Sequence, residues 1–218
     1  VILHRDRPEF APGQSIFGEA FIGTASNGLR ENYGADVTAG NDQGYIRLQG
    51  IYKDAKNYRD GNDDEVRSSY RTTQGHIDLG WTPTNNQHIK LSHEIANTSD
   101  ALFQGAGMDA PKSDGTMTRL SYEADELAGR VNGVEASFYH SEVDHVMNNF
   151  SLRTNRRMPM EVPSTVTTKG GKLRLTSNFG NTSVDYGLLL QTIEKQATLF
   201  NRNTNQSQFL MWPDTITE

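Results

Sequence analysis

The chain contains no cysteine, which removes disulfides and thiolate metal sites from it. It also lacks any run close to the ~20 apolar residues that a membrane helix requires. No charged-then-apolar leader opens it, so the chain reads as an internal piece of a longer protein. A basic excess is missing as well. The 21 Lys and Arg face 27 Asp and Glu for a net charge of −6, and an acidic balance weighs against nucleic acid as a partner. Apolar residues are scarce at 34%, below the usual globular share. Enzyme signatures are absent too. There is no Gly-x-Ser-x-Gly, no His-Glu-x-x-His and no phosphate-binding Gly loop, and the expectation is that the chain is not an enzyme. A barrel enzyme of the outer-membrane phospholipase kind would place Ser and His on the lipid face. Here the outward His93 has no nucleophile beside it.

What is present is glycine, 20 residues of 218, and a rhythm. Stretches of alternating residues are joined by connections that run short, then long, then short. Strands are expected over 16–24, 33–40, 45–54, 70–81, 88–96, 116–125, from Arg130 onward, 172–179 and 182–195. That makes about nine, with a further possible strand after Thr198. Long loops are expected over 55–69, 97–115 and up to the Lys169-Gly170-Gly171 stretch.

Within the strands the parity is consistent. Ile46, Leu48 and Tyr52 face one way, against Arg47 and Gln49. Ile77, Leu79 and Trp81 oppose His76 and Asp78. Ile89, Leu91 and Ile95 oppose Lys90 and Glu94. Leu120 and Tyr122 oppose Arg119 and Glu123, and Leu173 and Leu175 oppose Lys172 and Arg174. A charge facing lipid costs a few kcal/mol at mid-membrane, so a membrane barrel demands this segregation. A soluble β-sandwich also alternates, but its long loops do not gather at one end. The expected fold class is therefore all-β, an antiparallel transmembrane β-barrel with a wet interior. Trp81 and Tyr122, near strand ends, suit an interfacial aromatic girdle. Nine strands with running ends read as part of a larger barrel, with exposed edges on both sides.

Two stretches carry a family resemblance. The opening Val1-Ile2-Leu3-His4-Arg5-Asp6-Arg7-Pro8-Glu9-Phe10 resembles the last plug strand and plug-to-barrel link of TonB-dependent receptors. Val143-Asp144-His145-Val146-Met147-Asn148-Asn149-Phe150-Ser151-Leu152-Arg153, preceded by Ala136-Ser137-Phe138-Tyr139, resembles the signature of the TonB-dependent outer-membrane copper receptors. Gly107-Met108-Asp109-Ala110-Pro111-Lys112-Ser113-Asp114 and Met158-Pro159-Met160 are similar to that family too. The resemblance implies residues 1–12 as the end of the plug and its link, and 13–218 as the front of a barrel of roughly 22 strands. It implies the bacterial outer membrane, contact with its lipid and lipopolysaccharide, energised uptake through the TonB complex, and the copper ion as transported ligand. In the family the copper site joins a His-x-Met pair of the barrel to a Cys and a Met of the plug. His145 and Met147 match the barrel pair.

The residues themselves agree with that assignment. Extending the parity of Glu135, Ser137 and Tyr139 along the strand puts His145 and Met147 on the lumen side, provided no bulge intervenes. An imidazole with a soft thioether suits copper and suits Mg²⁺ or Ca²⁺ poorly. Met108, Met117, Met158 and Met160 lie in or near the long loops. They are candidates for low-affinity metal contacts, with plain loop packing as the alternative. His140 reads as a loop-base residue, and His76, His88 and His93 as structural. The acidic run Asp60, Asp63, Asp64 and Glu65 reads as a solvated loop, with cation steering or Ca²⁺ binding as alternatives. Two other functions stay open on the same scaffold: a TonB-dependent receptor for siderophores, and a surface adhesion or phage-attachment barrel whose loops do the work.

Overall fold

The computed structural model describes residues 7–153 and 158–217. Ten strands form one antiparallel sheet in chain order. They are β1 (Ile16–Gly23), β2 (Leu29–Asn41), β3 (Gly44–Ala55), β6 (Tyr70–Thr84), β7 (Gln87–Ala101), β8 (Asp109–Ala124), β9 (Gly133–Asn148), β10 (Met160–Phe179), β11 (Thr182–Asn201) and β12 (Gln206–Thr217). A separate hairpin, β4 (Tyr58–Arg59) with β5 (Glu65–Val66), sits in the connection between β3 and β6. No pairing joins β1 to β12 among the described residues, so the sheet is an open, meandering wall. The opening residues 1–6, read above as the end of a plug, lie outside the described residues. Arg7 donates to the Asp42 carbonyl at 2.9 Å, which holds the chain ahead of β1 against the β2–β3 turn.

The register turns the alternating sequence into two kinds of row. Ile16, Ala39, Ile46, Leu79, Leu91, Leu120, Phe138, Gly171 and Leu190 are consecutive cross-strand partners from β1 to β11. Every member of this row is apolar. Its large side chains are exposed, Phe138 at 66% and Leu190 at 56%. One residue along each strand, on the opposite face, lies Phe17, Thr38, Arg47, Asp78, Ser92, Arg119, Tyr139, Gly170 and Gln191. That row is almost wholly polar, and its members bond to their own face. Arg47 pairs with Asp36 at 2.8 Å, Ser92 donates to Asp78 at 2.5 Å, and Tyr139 donates to Gln191 at 2.6 Å. A continuous exposed apolar face opposite a hydrogen-bonded polar face is the pattern of a transmembrane barrel wall seen from lipid and from lumen. Trp81 and Tyr122 both partner Ile89, so they share one outward row at the short-turn end.

Large side chains on both faces are seated on glycine. Phe21 partners Gly34, Tyr45 partners Gly80, and Tyr139 partners Gly170 on the lumen face. Phe138 partners Gly171 and Ile95 partners Gly75 on the other. A Cβ on Gly80 or Gly170 would overlap the facing ring. Glycine weakens a strand by itself, and the aromatic lying across it restores the contact.

The strands run further than their alternation indicated. The loop expected over 97–115 is reduced to 102–108, because β7 continues to Ala101 and β8 starts at Asp109. The loop expected up to 169–171 ends ten residues earlier, with β10 beginning at Met160. The loop over 55–69 contains the β4–β5 hairpin, and the possible strand after Thr198 is the end of β11 followed by β12. The sheet thus has ten strands where about nine were counted. The physical reason is visible on β9, whose outward positions change from Ala136 and Phe138 to His140, Glu142 and Asp144. Lys112 and Asp114 on β8 form an outward ion pair at 3.1 Å. Beyond the lipid the outer face is wet, and apolar alternation is no longer needed. The 20 residues of β10 measure about 66 Å along the strand. Tilted by about 45°, they rise well past a hydrocarbon core of about 30 Å. Pro163 falls in this protruding part, where the β10–β11 ladder skips positions 162 and 163 while the β9 ladder continues. A residue without an N–H is tolerated at such a gap.

This architecture predicts that Leu91→Arg, in the middle of the apolar row, destabilises the full-length protein in bilayers by roughly 2–4 kcal/mol. Ser92→Arg, one position on, costs far less. Denaturant unfolding in lipid vesicles reads the difference, and equal costs would sink the face assignment.

Candidate functional site

The long-loop end of the wall is held by one buried carboxylate. Asp109 begins β8 with its side chain 0% exposed. It accepts hydrogen bonds from Arg67 Nη2 at 2.6 Å and from Arg153 Nε at 2.7 Å. It also accepts from Arg153 Nη2 and from the Phe103 backbone N–H, both at 2.9 Å. Each arginine then spends its remaining donors on loop carbonyls. Arg67 reaches Leu152 at 3.0 Å, and Arg153 reaches Phe103 at 2.8 Å and Met108 at 3.1 Å. Three connections, β5–β6, β7–β8 and β9–β10, are tied together at this point. Burial alone pushes the Asp109 carboxyl up, but the Arg153, Phe103 and Arg67 donors outweigh it and hold the group below the usual carboxylate range. Sequence reading did not find this clasp. Asp109 and Arg153 stand inside the two stretches that carry the family resemblance, but their meeting across 44 residues has no local signal.

Asn148 ends β9 beside it. Its buried side chain accepts from the Phe150 and Ser151 N–H groups and from the Ser151 hydroxyl at 3.3, 2.9 and 2.7 Å. This closes a tight Asx turn and fixes the chain directly above His145 and Met147. The register places His145 between Ser113 of β8 and Ser164 of β10, and Met147 opposite Val162 of β10. The β9–β10 pairing runs without a shift over this region, so the parity of Glu135 and Tyr139 carries through. Both residues are therefore on the lumen face. The β8–β9 register shift, between Asp109 and Lys112, falls opposite Met147, while His145 keeps its regular partner Ser113. The His145 Nε2 atom is buried and has no hydrogen-bond partner. A buried nitrogen left this way costs about 1–3 kcal/mol unless something else satisfies it.

Met160 joins these two residues. It occupies the next lumen-facing position on β10 beyond Val162, diagonally across from Met147, at a spacing of about 7–8 Å between Cα atoms. Its backbone is fixed by the Asn149 side chain, which accepts from the Met160 N–H at 2.9 Å. The other loop methionines stand apart. Met158 is 60% exposed, and Met108 contributes a carbonyl to the Arg153 contacts. Among the described residues no three His, Cys, Asp or Glu side chains converge, so the donor set here is one imidazole with thioethers.

The remaining candidates have structural surroundings. His76 Nε2 lies 2.9 Å from Asp78, His88 stacks on Tyr45 at 6.0 Å, and His93 Nδ1 meets the Thr118 hydroxyl at 2.9 Å; the Nε2 atoms of His76 and His88 are buried without a hydrogen bond, as that of His145 is. His140 faces outward between Thr118 and Lys169. In the acidic run, Asp60 accepts from the Asn62 and Asp64 N–H groups, Asp63 pairs with Arg59, and Glu65 accepts from Asn57. These carboxylates build the β4–β5 hairpin.

Fold and faces define a membrane-spanning antiparallel barrel wall with His145 and Met147 on its inner face at the long-loop end. Among solved structures, the chain is similar to the one described as "Copper transporter OprC". The TM-score is 0.83 and the identity 25%, over 98% of this chain and 34% of that one. The chain therefore spans about a third of that transporter's length. No family model matches the chain, and no curated protein matches it.

Asp109→Asn removes the charge facing two arginines, and breaking a part-buried pair from one side costs roughly 3–5 kcal/mol. The expected outcome is faster proteolysis in all three clasped loops of the full-length protein, with the strands still protected. Because the Asp109 pKa is lowered by folding, the clasp is at full strength at neutral pH. It weakens only as pH falls below about 4, the ordinary carboxylate value, and is lost below the folded value. Loop protection that instead fell between pH 7 and pH 5 would contradict this.

Proposed function

We propose that this chain is part of the wall of a bacterial outer-membrane TonB-dependent receptor that imports copper. In this reading residues 1–12 are the plug end and link, and residues 13–218 the front of the barrel. His145 and Met147 contribute barrel-side ligands, and a plug domain supplies the rest. The observation that carries the reading is the pairing of His145 with Met147 at successive lumen-facing positions of β9; the Nε2 of His145 is buried without a hydrogen bond, as are those of His76 and His88, but of the three only His145 has a methionine at the next position on its own face. A neutral imidazole nitrogen and a thioether suit copper and reject hard divalent cations. The absence of converging carboxylates among the described residues points the same way. Similarity to a copper transporter over nearly the whole chain supports it. Met160 is a further candidate thioether on the same face, and Met108 and Met158 are weaker ones.

Within this proposal the chain's own residues do three things. The Asn148 turn and the Asp109 clasp hold the top of β9 rigid, so ligand positions are set before the ion arrives. The Ser164 hydroxyl leaves the imidazole nitrogen free, since it donates to the His145 carbonyl instead. The outward apolar row keeps the wall in lipid and in contact with lipopolysaccharide above it. Energy for release comes from the TonB complex through the plug. A siderophore receptor, or an adhesion barrel, remains the alternative on this scaffold.

Elemental analysis of the full-length protein purified from outer membranes tests the reading. Copper near one per chain is expected, falling by at least tenfold in His145→Ala with Met147→Ala. Copper unchanged in the double variant moves the site elsewhere, and copper absent from both proteins removes the importer reading.

A further inference from the structure

Lower on the lumen face, Gln49, His76, Glu94 and Met117 are consecutive cross-strand partners from β3 to β8. Met117 in turn partners Ser141. That residue lies four positions before His145 on β9, so the row is about 13 Å nearer the short turns. A cavity of about 40 Å³ opens beside it, with Gln49, Gln74, His76 and Glu94 in its lining. A single ion or water fits such a space, and an organic ligand does not.

The His76 ring is supported from behind. Asp78 is buried, and the Ser92 hydroxyl donates to it at 2.5 Å. Its carboxylate lies 2.9 Å from His76 Nε2, at too bent an angle for a hydrogen bond but close enough to keep the ring proton on that nitrogen. Nδ1 is then the nitrogen with the lone pair. A carboxylate behind the imidazole is the usual support of a metal-bound histidine. In front, Nδ1 stands 3.9 Å from Glu94 Oε2. That is too long for a hydrogen bond. It is the separation of two ligands at a wide angle on one ion, with bonds of about 2.0 Å.

We infer that His76 Nδ1 and the Glu94 carboxylate hold a transition-metal ion, at a second and weaker site below His145 and Met147. A nitrogen and an oxygen at a wide angle favour the tetragonal geometry of Cu(II). The identity of the ion rests on the copper reading of the first site, whereas the two ligands do not depend on it. Asp78 stays behind the ring, and no third carboxylate or imidazole joins the pair among the described residues. Two protein ligands make a weak site, and an ion in transit must be able to leave.

Equilibrium titration of the full-length protein with copper(II) sulfate, followed by electron paramagnetic resonance, tests it. The expected result is a second equivalent bound at least tenfold more weakly than the first, with the hyperfine signature of one imidazole nitrogen. His76→Ala abolishes it, and Glu94→Gln weakens it at least tenfold. Glu94→Gln keeps the size of the side chain and so separates ligand loss from misfolding. His93→Ala, on the outer face, leaves the second equivalent unchanged. A second equivalent undiminished in His76→Ala and Glu94→Gln overturns the inference, and so does its absence at millimolar copper. Its loss in His145→Ala with Met147→Ala overturns it too, by assigning both equivalents to one site. Copper held through His76 and Glu94 but not through His145 and Met147 upholds this site and removes the first.

Discussion

The whole structure depends on one demand, that every backbone N–H and C=O inside a bilayer must be bonded within the protein. A meandering antiparallel sheet meets it strand by strand, and it leaves each residue only two directions in which to point. The row from Ile16 to Leu190 and the row from Phe17 to Gln191 are the result. A slip of one residue in any pairing would present Arg47, Asp78 or Arg119 to lipid and Leu79 or Leu91 to water. The lumen ion pairs contribute little stabilisation by comparison, since most are partly exposed. Their role is to keep the inner face satisfied while the outer face sets the register.

Above the lipid that demand is relaxed, and a different device takes over. The strands continue as a wall of paired backbone, but the connections between them are joined by side chains. Asp109 gathers two arginines from distant loops and one backbone N–H. Asn148 folds the start of the β9–β10 connection onto itself. His145, Met147 and Met160 lie directly beneath these two anchors, on strand positions and not on loops. Sites carried by paired strands are held more closely than sites on free connections.

Legibility in the sequence followed the same boundary. Where lipid enforces alternation, strands β2, β3, β6, β7 and β11 and the sorting of Arg47, Asp78 and Glu94 from Leu48, Leu79 and Leu91 could be read directly. Where lipid ends, the outer face becomes His140, Glu142 and Asp144, the period of two disappears, and β7, β8, β9 and β10 extend beyond what the pattern shows. The orientation of His145 and Met147 was legible because it follows from parity alone. The unpartnered state of His145 Nε2 and the place of Met160 diagonal to Met147 needed the register of β10. The clasp was least legible, since Arg67, Asp109 and Arg153 meet only after the wall has formed.

The seating of aromatics on glycines has a consequence for how such a wall can diverge. Tyr45 with Gly80, and Tyr139 with Gly170, are matched lock-and-socket pairs across neighbouring strands. A larger residue at the glycine collides with the ring, and a smaller residue at the aromatic leaves bare backbone. Neither partner can drift alone, so change must pass through both positions together. Positions far apart in the chain are thereby bound into single heritable units.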